Sequence, residues 1–297
     1  MKTLGELRRQ INSVEDLQSV VATMKTLAAA RIRQFETAAE ATRSYFDTVQ
    51  QALQVLLLNR KILPATVAEP GQSGQIGCVL LGSDQGFCGR FNEVVTQTAI
   101  RFVDQELRTL STSQAPLILT VGARLNRLML DAGWEVEQSV HVPKSVSDIT
   151  TVIQDVTTHI DRWRNQFDIQ RIELIYNRRS SAATYDAKMV QLMPLAKEFL
   201  DQLQQERWQS RGLPIYQLPW QELFTSVVRQ YLFISLFRAC AESLASENAS
   251  RIAAMQQAER NIDERLQDLN SQFNQNRQQS VTEELLDIVS GFEAVTG

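Results

Sequence analysis

The 297 residues carry 30 Lys and Arg against 34 Asp and Glu, so the formal net charge is -4, and this balance argues against a protein that binds nucleic acid through a basic surface. No run approaches the roughly 18 uncharged apolar residues of a membrane span, and the N-terminus lacks the apolar block of a signal peptide. The three cysteines are not spaced as a metal or redox pair, so we expect a cytosolic or cytosol-facing protein.

The first sixty residues have the pattern of a coiled-coil helix. Read in sevens from Leu4, sixteen positions form an apolar seam, and three of them are polar. The exceptions are Gln18, Lys25 and Thr42. No proline precedes Pro64 and no glycine lies between Gly5 and Gly71, so nothing in this stretch breaks a helix. A seam with a period of about 3.5 residues predicts a long helix that packs a narrow face against a partner helix.

The middle of the chain has the composition of a separate folding unit. All seven prolines, from Pro64 to Pro219, and nine of the twelve glycines fall there. We predict strands over 76–81, 116–121, 134–140 and 171–176, helices over 92–110 (capped by Asn92), 123–131 and 146–165, and a last extended piece over 188–193. Alternating strands and helices predict an α/β layer with a largely parallel sheet.

The C-terminal stretch repeats the coiled-coil pattern. Residues 222–290 contain neither proline nor glycine, and three of the fifteen seam positions counted from Phe224 are polar. These are Arg238, Asn248 and Glu259. After Phe273 the apolar positions restart one step out of register, at Val281, Leu285, Ile288 and Phe292. We therefore expect the end of this helix to leave its partner and to need another protein around it.

The two heptad stretches can bury each other. Because the chain leaves one near residue 60 and enters the other near residue 220, the simplest arrangement is an antiparallel pair with the rest of the chain attached at one end. The expected fold class is α/β: a long antiparallel coiled coil of the N- and C-terminal helices plus a central small open α/β domain with a largely parallel sheet. The expected boundaries are 1–60, 61–215 and 216–297.

The sequence shows no catalytic constellation. Gly82, Gly86 and Gly89 follow a predicted strand, but their spacing matches neither the dinucleotide nor the P-loop motif, and a tight strand-to-helix turn is the simpler interpretation. His141 and His159 have no second ligand at metal spacing. We therefore expect no catalytic residue, no metal and no cofactor.

Four blocks resemble the signature blocks of the gamma subunit of F-type ATP synthases. They read MKTLAAARIR (24–33), GSDQGFCGRFN (82–92), ASENASRIAAM (245–255) and RQQSVTEEL (277–285), and they occur in the order of that family. The resemblance covers the whole chain, and the last two blocks are its most specific part. It implies the same architecture that the periodicity suggests.

The resemblance implies a rotor. In this family the coiled coil turns inside a hexamer of alpha and beta subunits, and the α/β domain sits on the membrane c-ring with the epsilon subunit. A rotor needs no active site, no small-molecule substrate and no nucleic acid. Its expected location is the cytoplasmic face of a plasma or thylakoid membrane, as a peripheral protein. The coupling ion stays open between H⁺ and Na⁺.

Motif matching also implies shaft contacts to the alpha and beta subunits. It places Met24, Lys25 and Arg251 where the shaft passes the levers of the beta subunits. It places four further residues where the tip meets the sleeve of the hexamer: Arg277, Gln278, Thr282 and Glu284. The alternative for each is a solvated or register-setting helix residue.

The sequence departs from the family at the 82–92 turn. Arg90 stands where the family usually has a glycine, so the turn at this position need not have the family's usual conformation. The chain has no room for the inserted segment of photosynthetic gamma subunits, so we expect no thiol control through Cys78 or Cys88.

Two other interpretations remain open. The coiled coil also suits a scaffold or chaperone with an α/β head, which would bind clients through its arms. An α/β enzyme with a coiled-coil arm would require a ligand at residues 82–89.

Overall fold

The computed structural model describes residues 3–58, 75–110, 115–167, 169–180, 184–208 and 212–296. In chain order the elements are α1 (Leu4–Ala41), α2 (Arg43–Leu58), β1 (Gln75–Leu81), α3 (Phe91–Leu110), β2 (Leu117–Val121), α4 (Ala123–Asp131), β3 (Gln138–Val140), α5 (Val146–Gln166), β4 (Ile169–Arg179), β5 (Tyr185–Met193), α6 (Lys197–Gln205) and α7 (Trp220–Thr296). The chain forms two compact units. Met1–Ala28 and Ile252–Gly297 make up the coiled-coil unit, and Ala29–Arg251 make up the sheet unit.

In the coiled-coil unit, the start of α1 pairs with the second half of α7. Leu7, Ile11 and Leu269 are buried against each other. The amide of Gln18 donates to Asp263 at 2.7 Å, and the ammonium of Lys25 lies 2.5 Å from Glu259. Since the partner's residue number falls as the number on α1 rises, the two helices run antiparallel. This confirms the predicted pairing of the two heptad stretches.

The same antiparallel pairing is present in the sheet unit, between α2 and the start of α7. The rings of Phe46 and Tyr231 lie 5.6 Å apart, and the Trp220 indole donates to the Leu56 carbonyl oxygen at 3.0 Å, so the residue number on α7 falls as the number on α2 rises. The sequence predicts one unbroken helix for the N-terminal stretch. The structure has two helices there, separated by Thr42. The Thr42 hydroxyl donates to the carbonyl oxygen of Ala39 at 2.7 Å, and such a bond competes with the helical backbone pattern.

The five strands form one sheet in the order β3-β2-β1-β4-β5. Strand β1 pairs in parallel with β2 and with β4, and β2 pairs in parallel with β3. Only the edge pair β4–β5 is antiparallel among the described strands. The central strand β1 is buried along nearly its whole length, which fits its continuous apolar sequence. The prediction of a largely parallel sheet is confirmed.

Helices cover both faces of the sheet. Side chains alternate along a strand, so Val79 and Leu81 point to one face and Cys78 and Leu80 to the other. Helices α5 and α7 pack on the first face, with Trp163 fully buried there, and α3 and α4 pack on the second. A side chain at Gly77 would lie 2.9 Å from the Trp163 ring, so glycine permits this close packing.

Two local predictions were wrong, and one helix was not predicted. The third strand covers only Gln138–Val140. Trp134 belongs to the turn that ends α4, because its backbone N–H donates to the Met129 carbonyl oxygen and its ring packs on the second face of the sheet. Asn92 does not cap α3: the helix begins at Phe91, and the Asn92 side chain bonds to Ser83. Helix α6 was not predicted, because its apolar residues pack on α2 from a distant part of the chain. The predicted domain boundaries stay a prediction.

Candidate functional site

The 82–92 loop, which connects β1 to α3, packs against α7. The Ser250 hydroxyl donates to the Cys88 carbonyl oxygen at 2.6 Å, and the Arg251 guanidinium donates to the Gly86 carbonyl oxygen at 3.5 Å. Two of the four sequence blocks, 82–92 and 245–255, therefore lie in contact.

The interior of this loop is filled by its own side chains. Asn92 accepts from the Ser83 amide at 2.9 Å and donates to the Ser83 hydroxyl at 2.7 Å. A side chain at Gly82 would lie 2.5 Å from the Cβ atom of Leu125. The loop is therefore a packed turn, and this observation disfavours the interpretation that residues 82–89 hold a ligand.

The backbone of the loop is unusual at one position. Among the described residues, Phe87 is the only non-glycine residue with a positive φ, at 60°, and Gly89 follows with 57°. Arg90 therefore has an ordinary φ, which answers the question that its replacement of a glycine raises. The sequence predicted positive φ angles at the glycines of this turn and did not predict one at Phe87.

A buried ion pair lies beneath the loop. Glu247 and Arg251 are 2.7 Å apart, and they are only 6% and 7% exposed. Burial raises the pKa of the Glu247 carboxyl, although the Arg251 guanidinium acts in the opposite direction. Oxygen Oε2 of Glu247 has no hydrogen-bond partner within the described part of the chain. The pair is thus enclosed but not fully satisfied.

Two polar seam residues of the sheet unit, Arg238 and Asn248, also have local partners. Arg238 donates to Glu242 at 2.9 Å and lies over the Phe46 ring. The Asn248 amide donates to the Leu244 carbonyl oxygen at 2.8 Å. Of these contacts, the one between Arg238 and Phe46 joins α7 to α2 and can set the register of the two helices, and the other two lie within α7.

The seven proposed shaft-contact residues differ in exposure. Met24 is half-buried, Lys25 is 34% exposed and paired with Glu259, and Arg251 is buried in the sheet unit. The four residues of the last block are exposed on α7: Arg277, Gln278, Thr282 and Glu284. Their roles as contacts to other subunits stay predictions.

The end of α7 exposes a continuous apolar surface. Five large apolar side chains between residues 281 and 289 are 49–68% exposed: Val281, Leu285, Leu286, Ile288 and Val289. So much contiguous apolar surface marks an interaction site. The shift in heptad phase predicted this surface, but it pointed only to Val281, Leu285 and Ile288 among these five, because Leu286 and Val289 lie beside the seam.

The three cysteines are buried. Burial raises the pKa of Cys78 and of Cys240 to about 12, and it also raises the pKa of Cys88. Since the thiolate is the reactive form, these environments disfavour thiol chemistry. The absence of thiol control stays a prediction.

Comparison with known proteins identifies the family. A family model described as ATP synthase matches residues 3–295. The ATP synthase gamma chain of Granulibacter bethesdensis is 30% identical over 305 residues, covering 99% of this chain and 100% of that one. The gamma chain of Geotalea uraniireducens is 26% identical over 307 residues, covering both chains completely. The chain belongs to the ATP synthase gamma-chain family.

Solved structures agree on the fold. A chain of the Euglena gracilis mitochondrial ATP synthase superimposes with a TM-score of 0.65 at 20% identity, covering 98% of this chain and 94% of that one. A chain from the central stalk of the Tetrahymena thermophila enzyme gives a TM-score of 0.57 at 20% identity, covering 80% and 99%. Family membership makes the chain a non-catalytic subunit of an ATP synthase, as the four blocks imply. Within the described residues, no helix is both long and apolar enough to cross a membrane.

Proposed function

We propose that this chain is the rotor that couples ion-driven rotation of a membrane ring to ATP synthesis or hydrolysis in an alpha/beta hexamer. The observation that carries the proposal is the apolar end of α7, where five large side chains between residues 281 and 289 are at least 49% exposed. An exposed apolar surface of this kind marks a site where another protein binds. A sleeve formed by the hexamer would do so.

The partners follow from the same proposal. Alpha and beta subunits would surround the coiled-coil unit, and the epsilon subunit and the c-ring would contact the sheet unit. The matching Euglena gracilis structure contains OSCP, F1 and the c-ring, and the Tetrahymena thermophila structure contains the central stalk and the c-ring, which supports this assignment. The chain would then be a peripheral protein on the cytoplasmic face of its membrane. The ring would determine the choice between H⁺ and Na⁺.

The coupling has a simple physical basis. A shaft with different side chains on its different faces biases each beta subunit differently, so rotation changes the nucleotide affinities of the three sites in turn. Met24 and Lys25 would meet the beta subunits along the shaft. Arg277, Gln278, Thr282 and Glu284 would line the polar face of the tip beside the apolar surface. The arms 1–60 and 216–297 would form the shaft, and 61–215 the foot.

The test is co-expression with the alpha and beta subunits of the same organism. We expect a complex with one copy of this chain per hexamer, and an altered ATPase rate when the chain ends after Phe273. Leu285→Ser combined with Ile288→Ser should also change the rate. A matched control is Leu130→Ser, since Leu130 is 52% exposed but lies on α4. A chain that stays apart from both subunits contradicts the proposal.

A further inference from the structure

A polar cleft with a volume of about 600 Å³ lies in the sheet unit, where α1 and α2 face the end of β4 and the first half of α7. Four arginines line it: Arg43 on α2, Arg178 and Arg179 on β4, and Arg238 on α7. This volume is in the range of sites that bind small molecules. The arginines and the size together make the cleft a candidate ligand site.

The cleft lies beside the place where open α/β sheets bind ligands. The chain runs from β1 outward to β2 and β3, and β4 then adds on the other side of β1, so the strand order reverses between β1 and β4. In such sheets the ligand lies outside the carboxyl ends of the strands at this reversal. Arg178 and Arg179 are the last two residues of β4. The carboxyl end of β4 therefore supplies two of the four guanidiniums.

One carboxylate serves two of these guanidiniums. Arg238 donates to Glu242 through Nε at 2.9 Å, and the Nε atom of Arg178 lies 3.5 Å from the same carboxylate. The Tyr176 hydroxyl also donates to it, at 3.0 Å. Asp186, which is opposite Arg178 on β5, is exposed and forms no ion pair within 4 Å in the described part of the chain. Two positive charges thus share one directly bound carboxylate.

Lys188 adds a third positive charge. It lies opposite Tyr176 on the neighbouring strand, so its side chain is on the sheet face that α7 covers. Among the described residues it has no ion pair within 4 Å. Burial lowers the pKa of this ammonium and Arg178 and Arg238 lower it further, whereas Glu242 acts in the opposite direction. The β4 and α7 side of the cleft therefore carries an excess of positive charge.

The α1 and α2 side of the cleft is acidic. Glu36 is paired with Arg179, and Glu40 lies 3.4 Å from Arg43 with both side chains at least two-thirds exposed. Such an exposed pair contributes little, so both members can exchange partners with a ligand. Asp47 also lines the cleft, and within the described residues it forms no ion pair closer than 4 Å. This side offers carboxylate oxygens that can accept hydrogen bonds.

A ligand that suits both sides is negative at one end and rich in hydrogen-bond donors at the other. Phosphate oxygens match guanidiniums, which present parallel N–H donors to them. Ribose hydroxyls match carboxylates, as in dinucleotide-binding sheets. A nucleoside phosphate has both ends.

We propose that this cleft binds a nucleoside di- or triphosphate. Arg178, Arg238 and Lys188 hold the phosphates, and Asp47 accepts hydrogen bonds from the nucleoside. The ligand is bound and not converted, and it joins α2 to β4 and α7. This inference goes beyond the proposed rotor function and does not depend on it.

The first experiment titrates the full-length chain with ADP, pyrophosphate and adenosine in a calorimeter at constant ionic strength. ADP should bind saturably at one site per chain. Pyrophosphate uses only the basic side and adenosine only the acidic side, so each should bind more weakly than ADP. The absence of saturable ADP binding, or equal affinities for ADP and pyrophosphate, overturns the inference. Because the chain is titrated alone, this failure leaves the rotor function standing, and failure to assemble with alpha and beta subunits leaves the nucleotide site standing.

Substitutions on the two sides separate the two ends of the ligand. Arg178→Gln should weaken ADP and pyrophosphate alike, by roughly tenfold, because both lose charge-assisted hydrogen bonds. Asp47→Ala should weaken ADP and leave pyrophosphate at least as tightly bound. Arg101→Gln is the matched control and should change neither affinity, since Arg101 is exposed on α3, which covers the other face of the sheet. If Arg178→Gln leaves the ADP affinity unchanged, the ligand lies elsewhere and the inference is wrong.

Stability in urea distinguishes loss of the ligand from loss of the fold. Arg238→Gln also loses the contact with the Phe46 ring, so its midpoint is first measured without nucleotide. ADP should raise the midpoint of the wild type, because a ligand that binds only the folded state stabilises it. The rise should be absent in Arg178→Gln and in Arg238→Gln. A rise of the wild-type size in either folded variant contradicts the assignment of the phosphates to these arginines.

Discussion

Helix α7 carries a charged pair in each of the two compact units, and the two pairs have different surroundings. In the coiled-coil unit, Glu259 pairs with Lys25 across the two helices, and both side chains remain 34% exposed. In the sheet unit, Glu247 pairs with Arg251 along the same helix, and both are less than a tenth exposed. The first pair keeps part of its hydration, and the second is covered by the 82–92 loop.

The difference in burial predicts a difference in energy. An ion pair in contact with water contributes little, because water solvates the separated charges nearly as well. A buried pair has lost its hydration, so removing one member leaves an uncompensated charge in a medium of low dielectric constant. The two pairs are therefore not equivalent. The pair in the sheet unit connects α7 to the 82–92 loop through Arg251, and the pair in the coiled-coil unit joins α1 to α7.

The largest expected effect is that of Arg251→Met. This change leaves the Glu247 carboxylate buried without its partner, so we expect the free energy of unfolding of the sheet unit to fall by about 3–5 kcal/mol near neutral pH. All four tryptophans lie between residues 29 and 251, so tryptophan fluorescence in urea reports on this unit alone.

The control for this prediction is a second substitution in the same chain. Glu247→Leu together with Arg251→Met removes both charges, and it should recover most of the lost stability because no unpaired charge remains. A double variant that is as unstable as Arg251→Met would show that the contact with Gly86, and not the charge, carries the effect.

The pH dependence gives a prediction of intermediate size. Burial raises the folded-state pKa of Glu247, so the folded chain binds this proton more tightly than the unfolded chain does. The resulting stabilisation is complete below the ordinary glutamate value of about 4.3, and it is lost as the pH rises through the raised folded value. The wild type should therefore lose stability relative to Glu247→Gln when the pH is raised from about 4 toward neutrality.

Urea unfolding at a series of pH values checks this sign. The difference in the free energy of unfolding between the wild type and Glu247→Gln reports the contribution of Glu247 alone. Glu173, whose pKa is also raised by burial, is present in both proteins and cancels. A wild-type advantage that grows with pH would mean that the Arg251 charge outweighs the burial of Glu247.

The sequence predicts the regular part of the fold because its signals are local. Heptad spacing gave the two arms and their pairing, and the apolar runs gave the sheet, with α4 placed at its observed bounds. Contacts between distant segments were not predictable in this way. Ser250 and Cys88 are 162 positions apart, and no periodicity in either segment shows that one covers the other.

The candidate site likewise has one part that the sequence predicts and one part that it does not. The apolar end of α7 follows from a shift in the heptad phase, which is visible in the residues. The exposure of Phe87 and the burial of Arg251 depend on how the loop packs on the helix, which no local pattern in the sequence shows. The contact of Arg251 with another subunit, which motif matching implies, stays a prediction.

The smallest expected effect is that of breaking the pair in the coiled-coil unit. Lys25→Gln should lower the stability of this unit by less than about 1 kcal/mol, because the pair is partly hydrated. The coiled-coil unit contains no tryptophan, so amide hydrogen exchange of α1 and α7 is the suitable measurement. The effect should shrink further at about 1 M salt, where the Debye length is near 3 Å, and Glu259→Gln in the Lys25→Gln background should add almost nothing. A loss as large as that of Arg251→Met would contradict the comparison, because it would require a pair that is 34% exposed to behave as a buried one.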